Sequence, residues 1–284
     1  MSEQVIGKIE ELWRYPVKSM LGERLHRVMA TTGGLVGDRA WALRDLRTGN
    51  VVSAKKWARM LAFSACYEVA PGSDGPGRVR IDLPDQGSLY ADDPLASRAL
   101  SEALGFEVRL QQAAALENQR VEADIDTDRI FGDIPLSEIY TGLKPGQNIP
   151  SSFGLPRGTF FDSAVIHIVP SASLEQLGRL QGASTEMCSR RFRPNVLIRT
   201  QEGMEGFVED QWLGGPTLAI GDLRVDKIKP TIRCVMTTLA QSELPRDMSV
   251  LRTAAKYHTA HLGVTGRITN EAMLEVGQPV VLLT

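Results

Sequence analysis

Short apolar runs dominate the first hundred residues, and turn residues separate them. Runs rich in β-branched and aromatic side chains cover residues 5–13, 23–32, 39–45, 51–56, 65–70 and 78–84. Glycine, asparagine and aspartate lie between most of these runs, and no helical period interrupts them. Because strands at such short spacing usually pair with their chain neighbours, the pattern predicts an antiparallel sandwich or barrel.

Helices and strands are mixed in the rest of the chain. Residues 92–105 form the first predicted helix, with aspartates to cap its start and a glycine to end it. The chain is polar over 113–135 and loop-rich over 143–158. Apolar runs then predict strands over 160–169, 195–200, 217–230, 234–240 and 279–283 and helices over 173–180 and 245–258. The sequence therefore predicts a mainly β fold with peripheral helices (α+β), arranged as two β-rich domains.

Composition and charge exclude several classes of function. The 284 residues carry 32 basic and 34 acidic side chains, a net charge of −2, whereas proteins that hold nucleic acid through phosphates usually have a basic excess. Three widely spaced cysteines form neither a disulfide framework nor a zinc pair. The N-terminus contains early acidic residues, and no apolar run is long enough for a membrane span. We therefore expect a reduced, cytoplasmic protein that binds neither nucleic acid nor membranes.

Common catalytic and cofactor motifs are missing from the sequence. It contains no GxxxxGK[ST] phosphate loop, no HExxH and no GxSxG, and GGLVGD at residues 33–38 falls short of a dinucleotide fingerprint. His258 and His261 are spaced so that both can lie on one helix face. Since no third histidine is near in sequence, a solvated helix end is favoured over a zinc site.

Four polar clusters carry residue types that hold anions. They are YPVKS (residues 15–19), GDR (37–39), SRRFRPN (189–195) and the helix start at Ser171–Ser173. Arginine forks, a lysine and a helix N-terminus suit a phosphate or a carboxylate. Because the proline in YPVKS favours a turn, we expect its lysine and serine at a loop tip. Each cluster also fits a plainer interpretation, as a solvated surface or a helix cap.

Cys234 is a candidate reactive thiol. Arg233 adjoins it, and a positive charge favours the thiolate. The alternative interpretation is a buried cysteine on an apolar strand with Val235. Cys66 fits that alternative better, whereas Cys188 lies beside the arginine run.

The order of these clusters resembles the MOSC proteins, over nearly the whole chain. The resemblance rests on five motifs, which are YPVKSMLGE, VGDRAWALRD, PSASLEQL after a strand, RRFRPNVLI and RCVMTT. The family includes the C-terminal domain of molybdenum-cofactor sulfurase and the mitochondrial amidoxime-reducing component. It implies an N-terminal MOSC-type β-barrel domain over residues 1–120 and a MOSC domain over residues 121–284. We expect no membrane-anchoring N-terminus like that of the mitochondrial relatives, as in a bacterial-type cytosolic protein.

The resemblance also implies a molybdenum cofactor, a pterin dithiolene with a terminal phosphate. Cys234 is the implied metal ligand and catalytic residue, and a soft thiolate suits a metal that is already bound by sulfur. The implied cofactor contacts are Lys18, Ser19, Arg39, Ser173, Arg193, Asn195 and Thr231. Of these contacts, those of Ser173 and Thr231 are implied less specifically, because the sequence motifs around them vary within the family.

The implied activity is the two-electron reduction of a small N-hydroxylated substrate such as an amidoxime. Three scattered cysteines cannot hold a [2Fe–2S] cluster, so electrons are expected from a separate ferredoxin- or cytochrome b5-like protein. Two alternatives stay open: Cys234 carries a persulfide supplied by a cysteine desulfurase, or the chain stores and delivers the cofactor without turnover. The family as a whole is associated with pyridoxal phosphate, but this chain contains no pyridoxal-phosphate domain that could generate the persulfide.

Overall fold

In the computed structural model, strands dominate the chain, as the sequence predicts. The structure describes residues 2–72, 75–84, 87–116, 121–124, 152–182 and 187–284. Within these ranges it contains eighteen strands and three α-helices, which are α1 (Ala96–Leu104), α2 (Ser171–Gln181) and α3 (Ser249–His258). None of these helices has both the length and the apolar composition that a membrane crossing requires.

Seven strands close into a barrel. In spatial order they are β13 (Val196–Thr200), β12 (His167–Pro170), β16 (His261–Ile268), β15 (Leu223–Ile232), β14 (Thr217–Ile220), β18 (Pro279–Leu283) and β1 (Glu3–Arg14). The antiparallel pairing of β1 with β13 closes the ring, and β12 runs parallel to β13. Buried apolar side chains from these strands, such as Ile9 and Ile198, fill the interior.

The other strands form smaller sheets beside the barrel. They are β2 (Glu23–Leu25), β3 (Arg27–Thr31), β4 (Gly34–Leu35), β5 (Trp41–Asp45), β6 (Ser64–Val69), β7 (Arg78–Leu83), β8 (Gly87–Tyr90), β9 (Val108–Gln112), β10 (Glu122–Asp124), β11 (Ser152–Gly154) and β17 (Ala272–Glu275). Strand β2 extends the barrel sheet along β1, and β17 pairs with β3. The confirmed fold class is therefore mainly β, with three helices in the described ranges and a closed seven-stranded barrel.

A second hydrophobic core lies around helix α1 and brings distant segments together. The loop after β1 contributes Val17 and Met20 to this core, and the turn after β15 contributes Val235. Val17 and Met20 flank Lys18 and Ser19, and Val235 follows the candidate thiol directly. Burial of these apolar side chains in one core therefore anchors both segments that carry candidate site residues.

The sheets combine strands from both ends of the chain. Strand β1 belongs to the barrel, although all the other barrel strands lie after residue 166. The division into residues 1–120 and 121–284 stays a prediction, and residues 117–120 at its boundary lie outside the described residues. Most of the polar stretch 113–135 and of the loop-rich stretch 143–158 also lies outside them.

Some predicted strands differ from the structure. Residues 51–56 contain turns and two isolated bridges, both formed by Val51. The strand over 160–169 is reduced to β12, and the strand over 234–240 is replaced by a 3₁₀ turn at Val235–Thr238. In that turn, the Thr237 hydroxyl donates to the Cys234 carbonyl, and the Thr238 hydroxyl donates to the Val235 carbonyl. These local hydrogen bonds replace those of a strand with a neighbour. Cys234 therefore begins a turn and does not lie on an apolar strand.

Gly263→Ala is expected to destabilise the barrel. The φ of Gly263 is +72°, and a Cβ there would lie 2.5 Å from the Ile168 carbonyl oxygen. Left-handed backbone strain alone costs about 1 kcal/mol, and the clash is expected to raise the loss in the free energy of unfolding to about 2–4 kcal/mol. Gly203→Ala is the matched control, because Gly203 has φ +85° and open space around it. Urea unfolding measures both variants, and equal losses would contradict this expectation.

Candidate functional site

The ring of Tyr15 lies against two guanidinium groups. Its centroid is 4.5 Å from the Cζ of Arg39 and 4.2 Å from the Cζ of Arg193. Tyr15 is 3 % exposed, and its hydroxyl donates to the Pro194 carbonyl oxygen at 3.1 Å. Both arginines have left-handed backbone conformations, with φ of 48° and 53°, which residues other than glycine adopt rarely. The structure thus brings two predicted cofactor contacts to one aromatic ring.

Asp38 and Asn195 join the loops that carry these arginines. The Asn195 amide donates to Asp38 Oδ2 at 2.9 Å, and its Oδ1 accepts from the backbone N–H of His167 at 3.1 Å. Asp38 also accepts the backbone N–H of Tyr15 at 2.8 Å and forms an ion pair with Arg39. Both carbonyl and amide ends of Asn195 are therefore used within the protein, where they hold the loops in place.

Lys18 and Ser19 lie in a loop, but they are buried and not at an exposed loop tip as predicted. Each is at most 6 % exposed. Lys18 donates to the Phe160 carbonyl at 2.8 Å and forms an ion pair with Asp162, whose second oxygen lies 2.7 Å from the Nζ of Lys55. Ser19 Oγ accepts a backbone hydrogen bond of 3.1 Å from the loop that carries Lys55. Burial lowers the pKa of Lys18, and Asp162 counteracts that shift.

A buried histidine holds Arg233, the residue directly before the candidate thiol. Arg233 Nη1 lies 3.2 Å from His167 Nε2, and Nη2 donates to the Phe192 carbonyl at 2.7 Å. Burial and the charge of Arg233 hold the pKa of His167 well below its ordinary value, so the ring is neutral and can accept this hydrogen bond. Burial lowers the pKa of Arg233 to about 10. Because this value is above 7, the guanidinium is still charged at neutral pH.

Cys234 is a half-buried free cysteine at the end of β15. Its backbone is extended, with φ −135° and ψ −176°, and its carbonyl accepts the Thr237 N–H at 3.1 Å. The carboxylate of Asp162, which pairs with Lys18 and Lys55, also acts on the guanidinium of Arg233, the residue directly before the thiol. The thiol therefore follows, along the chain, a cation that belongs to the same charged cluster as the predicted cofactor contacts.

The cluster contains excess positive charge and polar atoms without partners. Five cations, Lys18, Lys55, Arg39, Arg193 and Arg233, lie around two carboxylates, Asp38 and Asp162. Of the eight buried side-chain polar atoms that have no hydrogen-bond partner among the described residues, three belong to predicted cofactor contacts or to Arg233: Arg193 Nη1, Thr231 Oγ1 and Arg233 Nε. Such atoms are rare in folded proteins, so the arrangement fits an anionic ligand with several acceptor atoms. A pterin dithiolene with a terminal phosphate has this chemistry, and Cys234 offers a soft ligand for its metal.

Ser173 makes its side-chain hydrogen bonds outside this cluster. It lies in helix α2, and its hydroxyl donates to the carboxylate of Glu209, whose other oxygen accepts the N–H of Gly263 at 2.8 Å. Burial raises the pKa of Glu209. Since no hydrogen bond of the Ser173 hydroxyl among the described residues reaches the arginines, this side chain ties helix α2 to the barrel. Its cofactor contact stays a prediction, as do those of the other six residues.

His258 and His261 have separate surroundings from the cluster. His258 Nε2 lies 3.0 Å from Asp210 Oδ1, and its ring stacks on Phe207 with centroids 3.8 Å apart. Over the ranges that the structure covers, no three or more His, Cys, Asp or Glu side chains are grouped to hold a metal ion. His258 thus serves as the partner of Asp210 at the end of helix α3.

Several residues of the cluster are not singled out by the sequence. Tyr15 and Asp38 lie inside the YPVKS and GDR motifs, so the motifs indicate their neighbourhood but not their roles. Lys55, Asp162 and His167 come from stretches that resemble ordinary strands. The one signal for Asp162 and His167 is that polar residues interrupt an otherwise apolar run.

Two family models match the chain. The MOSC N-terminal beta barrel domain matches residues 6–123, and the MOSC domain matches residues 156–281. The first match contains Tyr15, Lys18 and Arg39, and the second contains Arg193 and Cys234. The cluster is therefore assembled from both matched regions.

Relatives of the chain include reductases and a sulfurase. Mitochondrial amidoxime reducing component 2 from Rattus norvegicus is 25 % identical over 246 residues, which cover 83 % of this chain and 68 % of the relative. Mitochondrial amidoxime-reducing component 1 from Homo sapiens is 24 % identical over 258 residues, which cover 83 % of this chain and 67 % of the relative. Molybdenum cofactor sulfurase from Oryza sativa subsp. japonica is 25 % identical over 86 % of this chain and 30 % of its own length. The crystal structure of the YUAD protein from Bacillus subtilis aligns with a TM-score of 0.47 at 10 % identity, over 99 % of this chain and 97 % of that one.

Proposed function

Because the chain belongs to the MOSC family, with a MOSC N-terminal beta barrel domain followed by a MOSC domain, we propose that it binds a molybdenum cofactor and reduces small N-hydroxylated compounds. The observation that supports this best is the buried cationic cluster beside Cys234, with three polar atoms that lack partners among the described residues. Relatives named as amidoxime reducing components favour amidoximes as the substrate class.

The cationic side chains of the cluster hold the anionic parts of the cofactor. Arg193 is 8 % exposed, and its Nη1 has no partner among the described residues. A phosphate or pterin oxygen would therefore receive a charge-assisted hydrogen bond from it in a poorly hydrated site. Arg39 and Lys18 add positive charge from the loops after β4 and β1. Asp38 and Asn195 keep these loops in register and do not need to touch the cofactor.

Cys234 provides the thiolate that ligates the metal. When bound, the cofactor supplies a molybdenum centre that takes up two electrons and delivers them to the substrate. His167 and the Phe192 carbonyl fix the guanidinium of Arg233, the residue directly before the thiol. The backbone N–H and the hydroxyl of Thr237 both donate to the Cys234 carbonyl and fix the direction of the chain at the thiol.

Reduction of an N-hydroxyl group consumes two electrons and two protons and releases water. The three cysteines of the sequence are too few for an iron–sulfur cluster. We therefore propose that a separate electron-transfer protein, ferredoxin-like or cytochrome b5-like, supplies the electrons. The sulfurase relative favours a second candidate function, in which the Cys234 thiol carries a persulfide for transfer to the cofactor or another acceptor.

Metal content separates the two functions. We expect near-stoichiometric molybdenum by elemental mass spectrometry, and pterin fluorescence after oxidation, in protein from a host that makes the cofactor. The same protein is expected to convert an amidoxime into the amidine with a reduced viologen dye as donor. Absence of molybdenum, together with a reducible extra sulfur on Cys234 in the intact mass, would support the persulfide carrier instead. Bound molybdenum without turnover would indicate a carrier of the cofactor.

A further inference from the structure

We propose that Tyr15 is a positioning residue, which holds Arg39 and Arg193 together as a pair of anion-binding groups without neutralising them. The proposal rests on the proposed function, because the anion is the phosphate of the cofactor. It assigns a role to a side chain for which the family resemblance implies no contact.

Two guanidinium groups near one another repel, and burial makes the repulsion stronger. A carboxylate between them would remove the repulsion, but it would also occupy their N–H groups and repel an anionic ligand. An aromatic ring attracts a cation through its π face and leaves the N–H groups at the guanidinium edge available. The contacts of 4.5 and 4.2 Å to the Tyr15 ring provide this attraction to both arginines.

Tyr15 is also fastened to both arginine loops by hydrogen bonds. Its hydroxyl donates to the carbonyl of Pro194, the residue after Arg193, and its backbone N–H donates to Asp38, the residue before Arg39. Each loop is thus fixed once by the ring and once by a hydrogen bond next to its arginine. Since both arginines have left-handed backbones, these contacts offset the backbone strain of the arrangement.

Other arginine–tyrosine contacts in the described chain lack this pairing. The Cζ of Arg78 lies 3.6 Å from the centroid of the Tyr90 ring, and that arginine also pairs with Asp92 at 3.4 Å. Arg193, in contrast, forms no ion pair with a described residue and keeps Nη1 unpartnered. Arg39 pairs with Asp38, so it is Arg193 that combines contact with the Tyr15 ring and a nitrogen free of any described partner, which is what an anion site requires.

The test compares ring and hydroxyl at position 15 in the full chain, made in a host without the cofactor. Inorganic pyrophosphate is the probe, and its affinity is measured by isothermal titration calorimetry. Tyr15→Leu removes the ring and is expected to weaken pyrophosphate binding about tenfold. Tyr15→Phe keeps the ring and is expected to bind within about twofold of wild type. Tyr90→Leu is the matched control, because it removes an arginine–ring contact outside the cluster, and it is expected to leave the affinity unchanged.

A second series of variants at position 15 tests the proposal even if Tyr15→Leu does not fold. Phenylalanines with one to three fluorine atoms at position 15 keep the size of the ring but progressively weaken its negative face. A stepwise fall in pyrophosphate affinity at constant melting temperature is expected, which a purely structural ring would not produce.

Two results would overturn the proposal in different ways. Unchanged pyrophosphate affinity in the fluorinated series would exclude the ring as the positioning group, while the molybdenum measurement on wild type would still support the proposed function. If the wild-type chain binds no pyrophosphate, Arg39 and Arg193 do not form an anion-binding pair, and the proposal is overturned whatever the molybdenum content.

Discussion

Cys234→Ala is expected to remove nearly all bound molybdenum while leaving the protein folded. The thiolate is the proposed metal ligand, and alanine offers no atom that can replace it. The backbone at this position is extended, and its carbonyl hydrogen bonds with Thr237 do not involve the thiol. Alanine can therefore adopt the same local conformation. Elemental mass spectrometry and circular dichroism on the same preparations measure both parts of this expectation.

Cys66→Ala and Cys188→Ala are the matched controls, because all three cysteines are half-buried free thiols. Cys66 lies on β6 opposite Arg80 of β7, and Cys188 precedes the 3₁₀ turn Ser189–Phe192. Both variants are expected to keep the wild-type molybdenum content. Full retention of metal in Cys234→Ala would exclude the thiol as ligand, whereas equal loss in all three variants would indicate general destabilisation.

The sequence predicts the strand-rich fold but not the partner of each strand. The run of apolar, β-branched and aromatic residues over 5–13 predicts a strand, and the structure confirms it as β1. The same pattern carries no information on which strand lies beside it. Gly7 of β1 pairs with Thr200 of β13, so the closure of the barrel depends on contacts between residues far apart in the chain. Such contacts are decided by packing of the whole core and not by a local pattern.

Local rules also fail where a polar residue is held by a distant partner. Pro16 correctly indicates a loop, but the apolar Val17 and Met20 draw that loop into a core, so Lys18 is buried. Ser173 is a residue type that is common at helix starts. Its hydroxyl nevertheless donates to Glu209, 36 residues away, which the local sequence around Ser173 does not indicate. The motifs therefore predict which segments matter, whereas long-range packing determines which atoms remain available for a ligand.

Arg193→Glu is expected to lower the bound pterin and molybdenum more than tenfold. The Arg193 side chain is 8 % exposed and carries a buried nitrogen without a partner among the described residues. A glutamate at this position would bring a carboxylate to the Tyr15 ring and to Arg39, which it would neutralise. It would also repel the cofactor phosphate in a poorly hydrated site, where the repulsion between two anions amounts to several kcal/mol. Pterin fluorescence after oxidation and elemental molybdenum measure the loss.

Arg190→Glu provides the same change of charge three residues before Arg193 and separates binding at the site from an effect of net charge. Arg190 lies in the 3₁₀ turn Ser189–Phe192, its side chain is about one-third exposed, and it pairs with Glu243. Because this pair lies at the surface, its loss is expected to cost little stability and to leave the pterin content unchanged. Equal pterin in wild type and Arg193→Glu would show that the arginine run is a surface feature with no cofactor contact. Equal loss in both arginine variants would instead assign the effect to the overall charge of the turn, since of the two only Arg193 has a buried nitrogen without a partner among the described residues.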